Sequence, residues 1–404
     1  MKIVFISNWF SEKMGYSENL FPKAMAKLGH EVHLITSTAQ IYYNNKERYN
    51  KIYSNYLGPS IVEKVTKTID GFTLHRLDFI EENKFPYFPF ALNGIKFIGI
   101  DNLLDSIKPD VIQSFNHDDP ATLQAVKWSS KNNVNFYTES HVHASVLRKN
   151  NKKSLFEISK SFINYFNPKI KFINRVTKFS FPIALDVAEI MNSLYHFPIE
   201  KNIIQSLGVD TELFSPIDSS TLLNERIKLR NEIGFTDDEI VCIYTGRFSK
   251  DKYPFLLAEA IEILQNKGIK FRGLFLGNGT NEEIENIKSK KGNIVLGFVP
   301  VKDLAKHYRA SDIGVWPREE STSQLDAAAC GLPLILSDKI HVKERVDGNG
   351  FLYSEGDTQS LAENILKLKD RSLRESFSKI GIQKVQQNYS WDSIAKKRVE
   401  YFNL

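Results

Sequence analysis

Short apolar runs rich in β-branched residues alternate along the chain with stretches whose apolar positions recur at helical spacing. The run KIVFIS at 2–7 is followed by Leu20, Phe21, Ala24, Met25 and Leu28, and then by EVHLITS at 31–37. A strand, a helix and a strand in that order build a parallel sheet. Proline breaks a helix interior, so the helix is expected to begin near Asn19, with Pro22 in its first turn and 8–18 as loop. Further strands are predicted at 110–115 (DVIQSF), 134–140 (VNFYTES) and 175–182 (RVTKFSFP).

The rhythm restarts after GVDTELFSP at 208–216, with strands predicted at 239–246, 271–279, 293–299, 312–317 and 332–337 and a helical stretch at 254–265. The segment 208–220 has no helical period and carries Gly208 and Pro216, so it is expected to link two α/β domains. A chain of 404 residues fits that division, since one domain usually takes roughly 150.

Composition narrows the function classes. Hydrophobic residues at 42% and charged residues at 25% describe an ordinary globular protein. A net charge of +5 on this length does not point to nucleic acid, and it suits an anionic ligand or a membrane surface. Cys242 and Cys330 both sit in apolar stretches, which excludes a disulfide framework and points to a reducing compartment. The start MKIVFISNWF reads as a buried strand rather than a signal peptide, and no apolar run approaches the ~18 residues of a membrane span. The segment 145–176 is basic with interleaved Phe, Tyr and Ile; it reads as a solvated helix face or as contact with an anionic membrane surface.

Candidate chemistry gathers at strand ends. In YTGRFSKDKYPF at 244–255 a strand ends in Gly246, and the next loop offers Arg247, Lys250 and Lys252, cations suited to a diphosphate or to a solvated turn. Gly277 and Gly279 follow the next strand and permit close backbone approach or a tight turn. Phe298, after a third strand, either stacks on a ligand or fills the core. In the first half, Gly15 lies after the first strand, but the G-x-G-x-x-G dinucleotide pattern is absent, which disfavours a simple NAD site. Glu139, His141 and His143 follow a later strand, and two His at i, i+2 make poor joint metal ligands. In WPREESTSQLDAAACGLPLILSD at 316–338, Ser321 with Gln324 fits a capping box, with Glu319 and Glu320 favouring the helix dipole and Gly331 and Pro333 closing the helix. Asp326 stands out, because a carboxylate among Leu325 and Ala327–Ala329 needs a partner.

The order of these pieces, with YSWDSIAKKRVEYF at 389–402 as a closing helix, resembles the GT-B nucleotide-sugar glycosyltransferases, in particular the retaining glycosyltransferase family 4. That resemblance implies two Rossmann-like, doubly wound α/β domains facing across a cleft. It implies an acceptor-binding domain at 1–207, to which a helix at 388–404 packs back, and a donor-binding domain at 208–387. Arg247 and Lys252 would clamp the donor diphosphate and do the work of a metal, so neither metal nor cofactor is expected. Phe298 and Val299 match the nucleobase pocket. Gly277 matches a donor loop, Gly15 and Tyr16 match the phosphate-facing loop of the first domain, and His141, ahead of His143, matches a cleft histidine. Where the family carries two glutamates with seven residues between them, Asp326 holds the second position, and Arg318 stands eight positions earlier. Glu319 or Glu320 would then take the first role, with Ser321, Thr322 and Ser323 replacing the usual glycines.

The expected activity is retaining transfer of a hexosyl unit from a nucleoside diphosphate sugar, UDP ahead of GDP, to a hydroxyl of a glycan or lipid-linked glycan. The expected setting is cell-envelope or capsular glycan assembly in the cytoplasm, at the inner face of the plasma membrane. A catalytically silent nucleotide-sugar-binding subunit and a nucleotide-sugar epimerase are the competing classes.

Overall fold

Strand β1 (Lys2–Ile6) is buried from Ile3 to Ile6, as a parallel strand covered by helices on both faces must be. In the computed structural model, which describes residues 1–12, 14–82, 90–147, 154–318 and 320–404, the chain divides into two compact units. One is Met1–Gly208 with Ile394–Leu404; the other is Val209–Ser393.

The first unit adds β2 (Glu31–Ser37), β3 (Thr66–Ile69), β4 (Phe72–Leu77), β5 (Phe79–Glu82), β6 (Gly94–Phe97), β7 (Val111–Ser114), β8 (Asn135–Ser140) and β9 (Thr177–Pro182). Its main sheet runs β3-β4-β2-β1-β7-β8-β9, parallel except for β3, and β5 pairs with β6 alone. The sequence reading misses β3 to β6. β3 is largely exposed and has no apolar run, but Asp70-Gly71, at φ +48° and +86°, makes the left-handed turn that joins it to β4. β9 begins two residues later than expected, because Pro168–Val176 is helical.

The first helix, Ser17–Lys27, contradicts the expected start near Asn19 and places buried Pro22 in its interior. Asn19 is the cause: its Oδ1 accepts from Tyr16 N at 3.1 Å and its amide donates to Ser11 O, which caps the helix three residues upstream. The closing helix is Trp391–Phe402, preceded by a π-turn at Val385–Tyr389. From Ile394 onward it belongs to the first unit, where Tyr137 Oη donates to Tyr401 O and the Tyr137 and Phe402 rings lie 4.8 Å apart.

The second unit holds β10 (Ile240–Thr245), β11 (Phe271–Leu276), β12 (Asn293–Leu296), β13 (Ile313–Trp316), β14 (Leu334–Ser337) and β15 (Gly350–Tyr353), all parallel, in the order β12-β11-β10-β13-β14-β15. The segment expected as a linker belongs to this unit from Val209 on: Val209 and Phe214 are buried, and Val209 N donates to Tyr389 O.

The two central strands are held together where they start. Asp312 Oδ2 accepts from Val241 N at 2.8 Å and from Arg230, and its Oδ1 accepts from Arg226 at 2.7 Å. Arg230, 3% exposed, also donates to the carbonyls of Ala310, Thr236 and Glu239. Removing it takes a donor from four acceptors and leaves Asp312 with one arginine fewer, so Arg230→Ala should destabilise the second unit by about 3–5 kcal/mol in chemical unfolding. A loss under about 1 kcal/mol would contradict this account of the clamp.

Candidate functional site

Chain order in the second sheet reverses at β10, with β11 and β12 on one side and β13 to β15 on the other. The helices that follow these strands cross on opposite faces, and the crevice left at the carboxyl ends is where such sheets bind ligands. Three loops meet there. Tyr244 Oη donates to Arg247 O at 2.8 Å, Lys252 Nζ to Glu320 O at 3.3 Å, and Arg318 to Lys250 O at 3.3 Å, which ties the loop after β10 to the loop after β13. The loop after β11 comes closer still. A Cβ on Gly277, at φ +150°, would lie 1.8 Å from Gly246 O, so only glycine allows this approach.

The cations here are differently held. Arg247 is 72% exposed and paired with Asp251 at 3.3 Å, a surface contact that constrains it little. Lys252 is fixed against the Glu320 carbonyl. Arg318 lies over the Tyr253 ring at 4.6 Å and beside Glu355, so this residue is occupied by the neighbouring loops. Phe298 is 59% exposed in the loop after β12, while Val299 packs on the core; the ring does not fill the interior.

The segment 316–338 departs from its expected capping. The helix is Ser323–Ala329, its N-cap is Thr322, and no side chain caps it. Gln324, fully buried, turns its Oε1 to Arg345, while Ser321 Oγ accepts from Ser323 N. Glu320 Oε1 accepts from His341 N at 3.0 Å, so it lies outside the first helical turn that was expected to use it. Glu319 lies outside the described residues. Thr322 is exposed.

Asp326 is the anomaly of the site. Among the described residues no cation or hydrogen-bond donor reaches its carboxyl. Burial, with the charge of Asp210 adding, pushes it from 3.8 up to about 8. The pH dependence follows from that direction. Between these values the folded chain keeps a proton that the unfolded chain has lost, so this group's contribution to stability falls as pH rises from about 4 to 8.

In the first unit the carboxyl end of β8 carries a buried polar chain. Glu139, 2% exposed, accepts from His141 Nε2 at 2.7 Å with one oxygen, and from Arg398 and Gln113 at 3.1 Å with the other. Arg398 comes from the closing helix, is itself 2% exposed, and lies 3.6 Å over the Phe181 ring. Burial alone would lower the His141 pKa; the hydrogen bond and charge of Glu139, with Glu18 beyond, outweigh it and raise the value. Glu18 stands in the first turn of Ser17–Lys27, its own pKa raised mainly by burial and lowered in part by His141. Gly15 takes φ +66° in an exposed turn, and the Tyr16 ring meets Trp9 edge-on. His143 turns instead to Asp186 at 3.1 Å, so the two histidines separate as their spacing implied.

Sequence reasoning passed over Glu18, Gln113 and Arg398. Their signal lies in contacts across up to 285 positions, which no local pattern carries. It also passed over a cavity of about 750 Å³ in the first unit, where Gln40, Glu12, Lys67 and Arg76 face Leu57 and Ile61.

Asp326→Asn should flatten the decline of the melting temperature between pH 5 and 8. It should also leave the protein more stable than the wild type at pH 8, by roughly 1–3 kcal/mol. A variant whose melting temperature falls as steeply as that of the wild type would contradict the unpartnered carboxyl.

Residues 239–371 match the family model described as glycosyl transferases group 1. The chain is 27% identical over 242 residues to the capsular polysaccharide biosynthesis glycosyltransferase CapM of Staphylococcus aureus, across 54% of this chain and 62% of that protein. It spans between 29% and 62% of the length of the curated relatives it matches. A solved glycosyltransferase from Rickettsia africae aligns at a TM-score of 0.68 and 15% identity, covering 100% of this chain and 97% of that one. Anabaena HepE, solved in complex with UDP, aligns at 0.65 and 15% identity, covering 100% of both chains. At this identity the likeness speaks for the fold. The chain therefore has the GT-B fold, and its second unit carries a glycosyl transferases group 1 domain.

Proposed function

We propose that this protein is a retaining glycosyltransferase that moves a hexosyl unit from a nucleoside diphosphate sugar to a hydroxyl of a glycan or lipid-linked glycan. The observation that carries the reading is the meeting of three loops at the strand-order reversal of the second unit, with Arg247 and Lys252 on one of them and the unpartnered Asp326 in the helix that follows another. Arg247 and Lys252 bind the diphosphate and stabilise the negative charge that grows on it as the glycosidic bond breaks. Two cations in that role make a metal ion unnecessary, and no cofactor is required. Ribose hydroxyls supply the partner that Asp326 lacks, and donating to the carboxylate returns its pKa toward the ordinary range. Phe298 stacks on the base, with Val299 and Gly277 bounding its pocket. Ser321, Thr322 and Ser323 line the approach to the sugar, and an acid at Glu319 or Glu320 takes the role beside it.

The acceptor belongs to the first unit. His141, whose charged form Glu139 favours, donates to a sugar hydroxyl, Gly15 and Tyr16 shape the loop beside it, and the cavity by Gln40 and Arg76 offers a polar lining for further glycan units. The acceptor attacks the face that the diphosphate leaves, and the departing phosphate oxygen takes its proton, which preserves the anomeric configuration. The solved UDP complex of Anabaena HepE supports uracil ahead of guanine, and the likeness to CapM supports capsular or envelope glycan assembly. No described helix is long and apolar enough to cross a membrane; we place the protein in the cytoplasm, with peripheral contact at the inner face of the membrane through 145–176.

The test is release of nucleoside diphosphate from a donor and acceptor panel, with product configuration read by NMR. Arg247→Ala with Lys252→Ala should lower kcat/KM by about 10²–10³-fold, and His141→Ala by about 10²-fold. Donor binding without turnover on any acceptor would overturn the enzymatic reading, and an inverted anomer would overturn retention.

A further inference from the structure

The helix Leu155–Phe166 is amphipathic with its faces reversed. Its polar face is turned into the protein: Glu157 is 1% exposed, Asn164 donates to Leu194 O at 2.9 Å, Ser161 to Ser193 O at 2.7 Å, and Lys160 to Asp118 at 3.1 Å. Its apolar face is left outside. Leu155 is 86% exposed and Phe162 68%, and Ile158, Tyr165 and Phe166 are each more than half exposed. At about 100° per residue these five fall within an arc of about 100°. A surface helix of a globular protein does the opposite, and a contiguous exposed patch of such side chains marks an interaction surface.

The surroundings of the patch say what covers it. The next helix, Pro168–Val176, carries Lys169, Lys171 and Arg175. Lys171 Nζ stands 5.2 Å from the Tyr165 ring and Arg175 5.2 Å from the Phe172 ring, so cations and aromatic rings share one surface. From Leu155 to Pro182 the only acid is Glu157, which is buried, so the acids of this stretch do not offset those cations. A second copy fits badly, because a two-fold contact through this face would set each cation cluster close to its own image. An anionic bilayer satisfies both properties at once. Its headgroup and acyl boundary takes apolar side chains, and its phosphates take lysine and arginine.

We propose that Leu155–Phe166 docks the protein on an anionic membrane, with Leu155, Ile158, Phe162, Tyr165 and Phe166 inserted at the acyl boundary and Lys169, Lys171 and Arg175 on headgroup phosphates. This specifies the membrane contact of the reading above. Its test needs neither donor nor acceptor, so either claim can fail alone.

The full-length protein is floated with phosphatidylcholine vesicles with or without phosphatidylglycerol. It should rise with the anionic vesicles only, and less at high salt. Phe162→Ser with Tyr165→Ser should lower the bound fraction at least tenfold without changing the melting temperature, since both side chains are exposed. Lys171→Glu with Arg175→Glu should do the same. No flotation with anionic vesicles overturns the proposal, as does equal flotation of the serine variant. A dimer in sedimentation that the serine variant dissolves, without vesicle binding, overturns it in favour of a second copy.

Discussion

The second unit depends on how β10 and β13 are joined. At their starts Asp312 is gripped by two arginines and by Val241 N, so the strands are locked in register. At their far ends the chain order reverses, and the following helices leave in opposite directions. One end of the strand pair is therefore filled with satisfied charge, and the other is opened by topology. The cations that remain weakly engaged, Arg247 above all, lie at the open end, where a diphosphate is the complementary group.

Asp326 shows the cost of a carboxyl left without a partner. A carboxyl without a partner weakens the folded unit above the ordinary acid range, and its neighbour Asp210 adds to the effect. Gln324, two residues earlier, is in the opposite situation: it is fully buried and matched to Arg345. One short helix thus carries a polar residue spent on structure and another left unspent, and the second is the better candidate for a ligand contact. In the first unit Glu139 spans both cases, since it anchors Arg398 of the closing helix and raises the pKa of His141.

Parallel strands were legible because they are continuous apolar runs closed by glycine or proline, as in 239–246 and 332–337. Strands β3, β5 and β6 were not, because half-exposed antiparallel strands carry mixed polarity; β4 is buried and parallel to β2, but His75 and Arg76 interrupt its apolar run, and only the Asp70-Gly71 turn announced it. Asp326 was legible as a misfit in an apolar helix. The capping assigned to Ser321 and Gln324 was not reliable, because Arg345, distant in sequence, competes for Gln324 more strongly than the helix end does. The Glu139, Gln113 and Arg398 chain was invisible for the same reason: its members meet only once the closing helix reaches the first unit. The reversed face of Leu155–Phe166 was half legible, since the mixture of cations and aromatic rings is plain in the sequence and the direction each face points is not.

The central claim is that the second unit binds a nucleoside diphosphate through Arg247 and Lys252. A thermal-shift panel of UDP, GDP and ADP with their common sugars tests it most directly, because a ligand bound only by the folded protein stabilises it by about 2.7 kcal/mol at a hundred times its Kd. The account predicts a rise in melting temperature with UDP or a UDP-sugar that Arg247→Ala with Lys252→Ala abolishes. No rise with any diphosphate, or an equal rise in the double variant, would contradict it.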